Sequence, residues 1–196
     1  MALLLWNLST LGKTEEARKK AIKAFTEAIK LQPKDPSLYL QRGWVWGRLR
    51  DRNNALKDLD MTISLNPSDS DPYVARAVVW QTFRKFKGSK QDFATAIRLS
   101  PKDPTPYYYR MSLWRDLGNE ANEIKDFATA IRLDPKPKAD MCVRLGILYH
   151  RKRKYSLAFE QYNRAMDLKP KVALPVDRAQ MNIFNAIASL GDGRWP

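Results

Sequence analysis

Small and aromatic residues recur at helical spacing along the chain, and each recurrence ends at a proline. In the last of these segments Ala158, Tyr162 and Ala165 stand four and then three residues apart, which places them on one face of a helix. Pro170 follows and ends the helix, because proline lacks an N–H and clashes with the preceding turn. The pattern therefore predicts a helix with one packed face before each such proline.

The prolines set a period of 34 residues. Four of them are 34 residues apart and the fifth follows after 35: Pro33, Pro67, Pro101, Pro135 and Pro170. The residue eight positions before each proline is aromatic or Leu, in the order Phe25, Leu59, Phe93, Phe127 and Tyr162. A second periodic stretch lies upstream, and turn signals such as Leu117-Gly118-Asn119 separate the two. Two helices in a period of 34 residues predict a helical-repeat solenoid.

This pattern resembles the tetratricopeptide repeat (TPR) family, whose unit carries an aromatic, a small residue, an aromatic, then Ala, an aromatic, Ala and Pro. The resemblance implies an all-α fold, a right-handed α-α superhelix that forms a single domain over 1–196. We number its helical hairpins one to five, at about 1–35, 36–69, 70–103, 104–137 and 138–172, and expect a capping helix at about 175–190.

The start of the chain departs from the repeat. The first helix of hairpin one is cut short, which predicts that the chain is a fragment of a longer array. Its apolar residues Leu3, Leu4, Leu5 and Trp6 would then pack on a missing repeat or, by self-association, on a second copy of the chain.

Three repeats carry an Arg and an Asp at fixed positions: Arg42 with Asp58, Arg76 with Asp92 and Arg110 with Asp126. In hairpin five the same positions hold Leu145 and Gln161, so both partners vanish together. We predict an ion pair that links the first helix to the second helix of its own hairpin or to a neighbouring one. The alternative is that both side chains are separately solvated.

Composition narrows the function. The chain has one Cys, Cys142, and one His, His150, which cannot supply a four-ligand zinc site, and an unpaired Cys fits a reducing compartment. We expect no metal, no cofactor, no transmembrane segment and no enzymatic activity, and a cytoplasmic location with the nucleus as the alternative. The net charge of +14 favours an acidic partner: a protein segment, a nucleic acid or an anionic membrane.

The resemblance implies that the first helices of the hairpins line a concave groove along which ligands lie. On this chain the lining residues are Leu40, Gln41, Trp44, Arg48, Val78, Tyr108, Tyr109, Ser112, Arg115, Arg144 and Ile147. Aromatic residues and Arg often carry the binding energy of an interface. For Val78 and Ile147 the alternative is that they fill the inside of the superhelix. The three groove aromatics favour a contact surface, because we expect the core aromatics to be Trp46, Trp80 and Trp114.

A second candidate surface is electrostatic. The turns between first and second helices are basic, and equivalent turns of a solenoid stack along one edge. The predicted basic ridge consists of Arg50, Arg52, Arg84, Lys85, Lys87, Lys90, Arg151, Lys152, Arg153 and Lys154. Asp116 and Glu120 interrupt it in hairpin four. A simple solvated face is the alternative.

Two functions compete. The leading hypothesis is a scaffold or adaptor that holds an extended or helical, acidic protein segment in the groove. The carboxylate clamp of co-chaperone TPR domains is absent, since its positions hold residues such as Leu40, Trp44 and Tyr109. The alternative is a helical repeat that binds nucleic acid through the basic ridge.

Overall fold

Within residues 14–169, which the computed structural model describes, the chain forms helices only. Their bounds are α1 (Glu15–Leu31), α2 (Pro36–Arg48), α3 (Arg52–Leu65), α4 (Asp71–Thr82), α5 (Phe86–Leu99), α6 (Thr105–Asp116), α7 (Glu120–Leu133), α8 (Ala139–Arg151) and α9 (Tyr155–Leu168). Helix α1 is the second helix of hairpin one, and the pairs α2/α3, α4/α5, α6/α7 and α8/α9 form hairpins two to five. The all-α prediction is confirmed.

The chain divides into two compact units. The first spans 1–102 and contains α1 to α5, and the second spans 103–196 and contains α6 to α9. The predicted first helix of hairpin one, its apolar residues and the capping helix at about 175–190 lie outside the described residues. The single domain over 1–196 stays a prediction.

The helix ends follow from local chemistry. Each second helix stops two residues before a proline of the period, which confirms the predicted register. Polar side chains cap several helix starts, because the first backbone N–H groups of a helix lack intrahelical acceptors. Asp51 accepts from the Asn54 backbone N–H at 3.1 Å before α3, and Asn119 accepts from that of Asn122 at 3.1 Å before α7.

The core is built from the second helices. The buried large residues at the periodic position are Phe25, Leu59 and Phe93 in the first unit and Phe127 and Tyr162 in the second. Leu59 and Tyr162 pack against glycines of the first helix in their own hairpins, Gly43 and Gly146. A Cβ built on Gly146 would stand 2.7 Å from Cδ1 of Tyr162 and closer still to Cε1. The small-and-aromatic pattern thus sets how closely the two helices of a hairpin approach.

The three tryptophans expected as core aromatics, Trp46, Trp80 and Trp114, are half-buried, and none is among the fully buried large side chains of the described residues. Trp46 packs against the core clusters around Phe25 and Leu59, so the expectation holds for it in part. For Trp114 the indole N–H gives a reason for this partial burial, because a polar group of this kind needs a hydrogen-bond partner. It donates to Asp126 Oδ2 at 2.7 Å.

The predicted ion pairs are confirmed, and each joins the two helices of one hairpin. Arg42 donates to both carboxylate oxygens of Asp58 at 2.7 Å. The equivalent distances are 2.8 and 2.7 Å for Arg76 with Asp92, and 2.7 and 2.8 Å for Arg110 with Asp126. Two of these arginines also reach the preceding hairpin: Arg42 donates to Thr26 at 3.0 Å and Arg76 to Asp60 at 2.6 Å. The arginines therefore tie helices within hairpins and, in the first unit, between them.

Candidate partner-binding surfaces

The groove residues of the first unit are only partly accessible. Leu40 and Trp44 are half-buried and pack against the core cluster of Ala55, Leu59, Ala75 and Val79. Gln41 and Val78 are half-buried as well, whereas Arg48 is exposed. The first unit therefore offers a mixed surface in which Trp44 both supports the core and presents an edge to solvent.

The two neighbouring groove tyrosines of the second unit differ. Tyr108 packs against the core cluster around Phe127 and Cys142, and its hydroxyl donates to Asp134 Oδ2 at 3.2 Å. Burial raises the pKa of Tyr108 to about 12. Tyr109 is 40% exposed, and its carbonyl accepts from the Ser112 hydroxyl at 2.7 Å. Tyr109 is therefore the more accessible of the two rings.

Hairpins four and five enclose a cleft of about 540 Å³ in the second unit. Three arginines and two carboxylates surround it, and an apolar floor closes it: Arg115, Arg144, Arg151, Glu120, Glu123, Phe127, Ile147 and Leu148. We name this set the arginine cleft. It brings together the predicted groove residues Arg115, Arg144 and Ile147 with the predicted ridge residue Arg151. Its volume lies in the usual range of sites that take a ligand group.

Contacts with neighbours orient the charges of the arginine cleft. Arg115 Nε donates to Glu123 Oε1 at 2.8 Å, and Arg151 Nη2 lies 3.7 Å from Glu120 Oε1. The Arg144 guanidinium lies over the Phe127 ring, 5.7 Å from its centroid. Three cations face two carboxylates, so the cleft retains a positive excess and can accept a further anion next to an apolar floor.

Glu120 also forms an ion pair with Lys152, a predicted ridge residue. The hydrogen bond from Lys152 lowers the pKa of Glu120, and the nearby charges of Lys152 and Arg151 add to the effect. The predicted interruption of the ridge at Glu120 therefore has a structural basis: this carboxylate pairs with two cations of hairpin five. Arg153 and Lys154 are exposed beside them.

The ridge residues of the first unit lie on the turns of hairpins two and three. We name Arg50, Arg52, Arg84, Lys85, Lys87 and Lys90 the first-unit ridge; all are exposed except the half-buried Arg52. A shallow cleft of about 480 Å³ opens beside them, lined by Leu49, Arg50, Asp51, Arg52, Asn53 and Phe83. The guanidinium groups of Arg52 and Arg84 lie over the rings of Phe83 and Phe86, at 5.7 and 5.4 Å from the centroids.

Sequence reasoning missed part of the arginine cleft. Glu123 and Leu148 were not predicted as lining residues, and Phe127 was predicted for the core only. The repeat pattern carries no signal for Leu148: the residues at its position in hairpins two to four, Val45, Val79 and Leu113, are also aliphatic but are buried, whereas Leu148 is half-buried. That difference depends on how hairpin five packs against hairpin four, which the repeat pattern does not specify.

The single Cys and the single His, the side chains most suited to nucleophilic catalysis, differ in burial: Cys142 is buried and His150 is half-buried. Cys142 is fully buried, and burial raises the pKa of its thiol, which disfavours the nucleophilic thiolate. His150 packs edge-on against Tyr155, with ring centroids 5.7 Å apart. Among residues 14–169 no group of three or more His, Cys, Asp or Glu is placed to hold a metal ion, and no helix is long and apolar enough to cross a membrane.

Comparison with known families agrees with the repeat register. The family model described as tetratricopeptide repeat matches residues 2–35 and 139–172, which correspond to hairpins one and five. The chain contains tetratricopeptide repeats. The search of curated protein sequences finds no match.

Solved structures of other TPR proteins share the fold of this one. A thermophilic TPR protein of Thermus thermophilus is 19% identical, with a TM-score of 0.66 over 95% of this chain and 96% of that chain. MamA from Desulfovibrio magneticus is 21% identical, with a TM-score of 0.60 over 86% and 95%. YrrB, described as a TPR protein with an unusual peptide-binding site, is 17% identical, with a TM-score of 0.53 over 91% and 88%. The all-α TPR solenoid is thereby confirmed, and it is consistent with a protein-interaction scaffold.

Proposed function

We propose that this TPR protein is a non-catalytic scaffold that holds an acidic segment of a protein partner against the first helices of its hairpins. The segment is extended or helical, and the arginine cleft is its anchor. The observation that carries the proposal is the convergence of Arg115, Arg144 and Arg151 on one cleft with an apolar floor. Such a site fits an apolar side chain flanked by carboxylates, because the apolar side chain would contact the apolar floor and the carboxylates would pair with the arginines.

The distribution of acidic residues supports an acidic partner. Asp58, Asp92 and Asp126 are buried in the hairpin ion pairs, and Asp51 caps a helix. These carboxylates are therefore occupied by structural contacts, while most lysines are exposed. The positive excess of the chain is thus concentrated at its surface, where it attracts acidic segments during association.

The accessible groove aromatic supports a protein segment as the occupant. Tyr109 is exposed and lies on α6, the helix that also contributes Arg115 to the arginine cleft. Tyr and Arg are over-represented among the residues that dominate interface energies. YrrB, which shares the fold, is described as having a peptide-binding site, so the fold is known to support this mode of recognition. The chaperone carboxylate clamp remains excluded by residues such as Leu40 and Trp44.

The chemistry of the single Cys and His supports a non-catalytic role. A reactive cysteine needs an accessible thiolate near positive charge, and Cys142 is buried with a raised pKa. The single unpaired cysteine also fits the cytoplasm, with the nucleus as the alternative compartment.

Selection from a random-peptide library displayed on phage tests the proposal. We expect the enriched peptides to contain an aromatic or aliphatic residue flanked by Asp or Glu. Their affinity is then measured by fluorescence anisotropy for the wild type and for Arg144→Ala, which removes the cation above Phe127. We expect a loss of about tenfold, because truncation of a central charged contact costs more than 1 kcal/mol.

Arg132→Ala is the matched control, because Arg132 is an exposed arginine of α7 that does not line the arginine cleft. We expect this variant to bind like the wild type. Peptides without acidic enrichment, or equal losses in the two variants, would refute the assignment of the cleft.

A further inference from the structure

In hairpins two to five, the turns between first and second helices share one unusual backbone conformation. One residue in each has a positive φ: Arg50 at 60°, Arg84 at 55°, Gly118 at 66° and Arg153 at 57°. Glycine adopts this left-handed conformation without strain, whereas a residue with a Cβ pays about 1–2 kcal/mol. Gly118 shows that glycine is compatible with this turn in the same chain. The arginines at the other three turns are therefore not explained by backbone requirements.

Neighbouring aromatic rings hold two arginines of the first-unit ridge. Arg84 lies over Phe86 within its own turn segment, and Arg52 reaches across to Phe83 of the next hairpin. A stacked guanidinium keeps a defined plane, and its N–H groups can bind a phosphate in bidentate fashion. The ridge thus presents two guanidinium groups placed against aromatic rings in addition to exposed lysines.

Few carboxylates oppose this charge. Within the turn segments 49–53 and 83–90, Asp51 is the acidic residue, and its side chain accepts from Asn54 at 3.1 and 2.8 Å. Within residues 14–169, Arg50, Arg52, Arg84, Lys85 and Lys87 form no salt bridge. Hairpin five differs, because Glu120 pairs with both Arg151 and Lys152 of its turn. Apart from Lys90, the first-unit ridge is accordingly a turn surface whose charge is left for a ligand.

We propose that the first-unit ridge binds single-stranded nucleic acid, independently of the arginine cleft. The cations contact successive phosphates, and bases stack on the guanidinium planes that Phe83 and Phe86 support from behind. An anionic membrane fits less well, since lipid headgroups would use the cations alone and the rings that could add to binding by insertion are not exposed for it. Here both rings are half-buried, and a guanidinium group covers each of them.

Anisotropy of a fluorescein-labelled oligouridylate of about 20 nucleotides, titrated over a range of salt, tests this proposal. The test variant is Arg50→Gly with Arg84→Gly, which removes two cations and relieves two strained backbones, so the protein stays folded. We expect the affinity to fall about tenfold, and the slope of log K against log salt to become shallower by about 1.4, at about 0.7 per phosphate contact.

Arg153→Gly is the matched control, because it removes the same charge from the same backbone conformation in hairpin five. We expect it, like Arg144→Ala in the arginine cleft, to retain the wild-type affinity and slope for the oligonucleotide. An equal loss in Arg153→Gly, or no loss in the double variant, would overturn the proposal. Tighter binding to phosphatidylserine vesicles or to poly-glutamate than to oligouridylate would overturn it too, and would assign the ridge to a membrane or an acidic protein.

Discussion

The guanidinium of Arg76 and the carboxylate of Asp92 join the two helices of hairpin three through paired hydrogen bonds of 2.8 and 2.7 Å. Arg76 also donates to Asp60 of hairpin two at 2.6 Å. The two carboxylates differ in environment, since the Asp92 side chain is 9% exposed and that of Asp60 is 59% exposed. One arginine therefore makes a buried and an exposed ion pair at once, which allows the two to be compared directly.

Asp92→Ala should lower the free energy of unfolding by about 3 kcal/mol, because it leaves Arg76 partly buried without its main partner. Asp60→Ala is the matched control on the same arginine and should cost less than about 1 kcal/mol, because its pair is screened by solvent. Urea denaturation followed by circular dichroism measures both. Equal losses would mean that burial does not decide the strength of these pairs.

The sequence was sufficient to predict these pairs because the same two positions can be compared across four hairpins of one chain. Arg and Asp stand at fixed positions in hairpins two to four and disappear together in hairpin five, where Leu145 and Gln161 replace them. The same periodicity predicted that each second helix ends just before a proline of the period. It did not predict that Trp114 would add a third hydrogen bond to Asp126, because that contact depends on the rotamer of one side chain.

Gly146→Ala should destabilise hairpin five by about 1–3 kcal/mol, because the added Cβ overlaps the Tyr162 ring in a packed core. The matched double variant Gly146→Ala with Tyr162→Leu should recover part of the loss, since the smaller side chain vacates the space. Thermal denaturation of both variants measures the coupling. A Gly146→Ala protein as stable as the wild type would show that the two helices can move apart without cost.

Arg84→Gly and Arg84→Ala should differ in stability by about 1 kcal/mol, with the glycine variant the more stable. Both substitutions remove the cation and its contact with Phe86, and only glycine relieves the backbone at a φ of 55°. Urea denaturation midpoints measure the difference. Equal midpoints would show that Arg84 causes no backbone strain. The presence of Arg at this position would then no longer support a function of the first-unit ridge.

The buried Tyr162 predicts a loss of stability in alkali. Burial raises its pKa from 10.0 to about 12, so between these values the unfolded chain gives up a proton that the folded protein keeps. The contribution is fully present below pH 10 and is lost as the pH rises through about 12, a change of about 3 kcal/mol. Tyr162→Phe should remove this part of the pH dependence, as measured by urea denaturation across that range.

Tyr162→Phe should retain wild-type stability at neutral pH, because the Tyr162 hydroxyl has no hydrogen-bond partner among the described residues. Wild-type stability at neutral pH, together with a smaller loss of stability in alkali, would separate the ionisation of Tyr162 from an effect on packing. A variant that loses stability equally at all pH values would show that the hydroxyl is held by a contact, and would contradict the assignment of the alkaline loss to its ionisation.

Glu120→Gln should raise the affinity of the arginine cleft for acidic peptides by about threefold, because the carboxylate of Glu120 competes with the ligand for Arg151 and Lys152. Asp167→Asn is the control, as it makes the same charge change at an exposed position of α9 outside the cleft. Anisotropy with a selected peptide measures both. A weaker Glu120→Gln complex would indicate that Glu120 positions the cations for the ligand.

The candidate site could be predicted from sequence only in part. The family pattern identified Arg115, Arg144 and Ile147 as groove residues, because their places on first helices follow from the period. It could not identify the cleft itself, where Leu148 is less buried than its counterparts in the other hairpins. Nor could it predict that Tyr109 is more exposed than Tyr108, since the exposure of adjacent residues on a helix depends on the neighbours that each contacts.

The central claim is that the arginine cleft holds a protein segment, and site-specific photo-crosslinking tests it most directly. A benzophenone amino acid replaces Ile147 on the apolar floor, and the protein is irradiated in nuclease-treated lysate of the source cells. The account predicts a crosslink to an acidic stretch of a partner protein, lost when Arg144→Ala is added and not formed by the same probe at Arg132. Crosslinks that persist with Arg144→Ala, or that form equally from position 132, would contradict it.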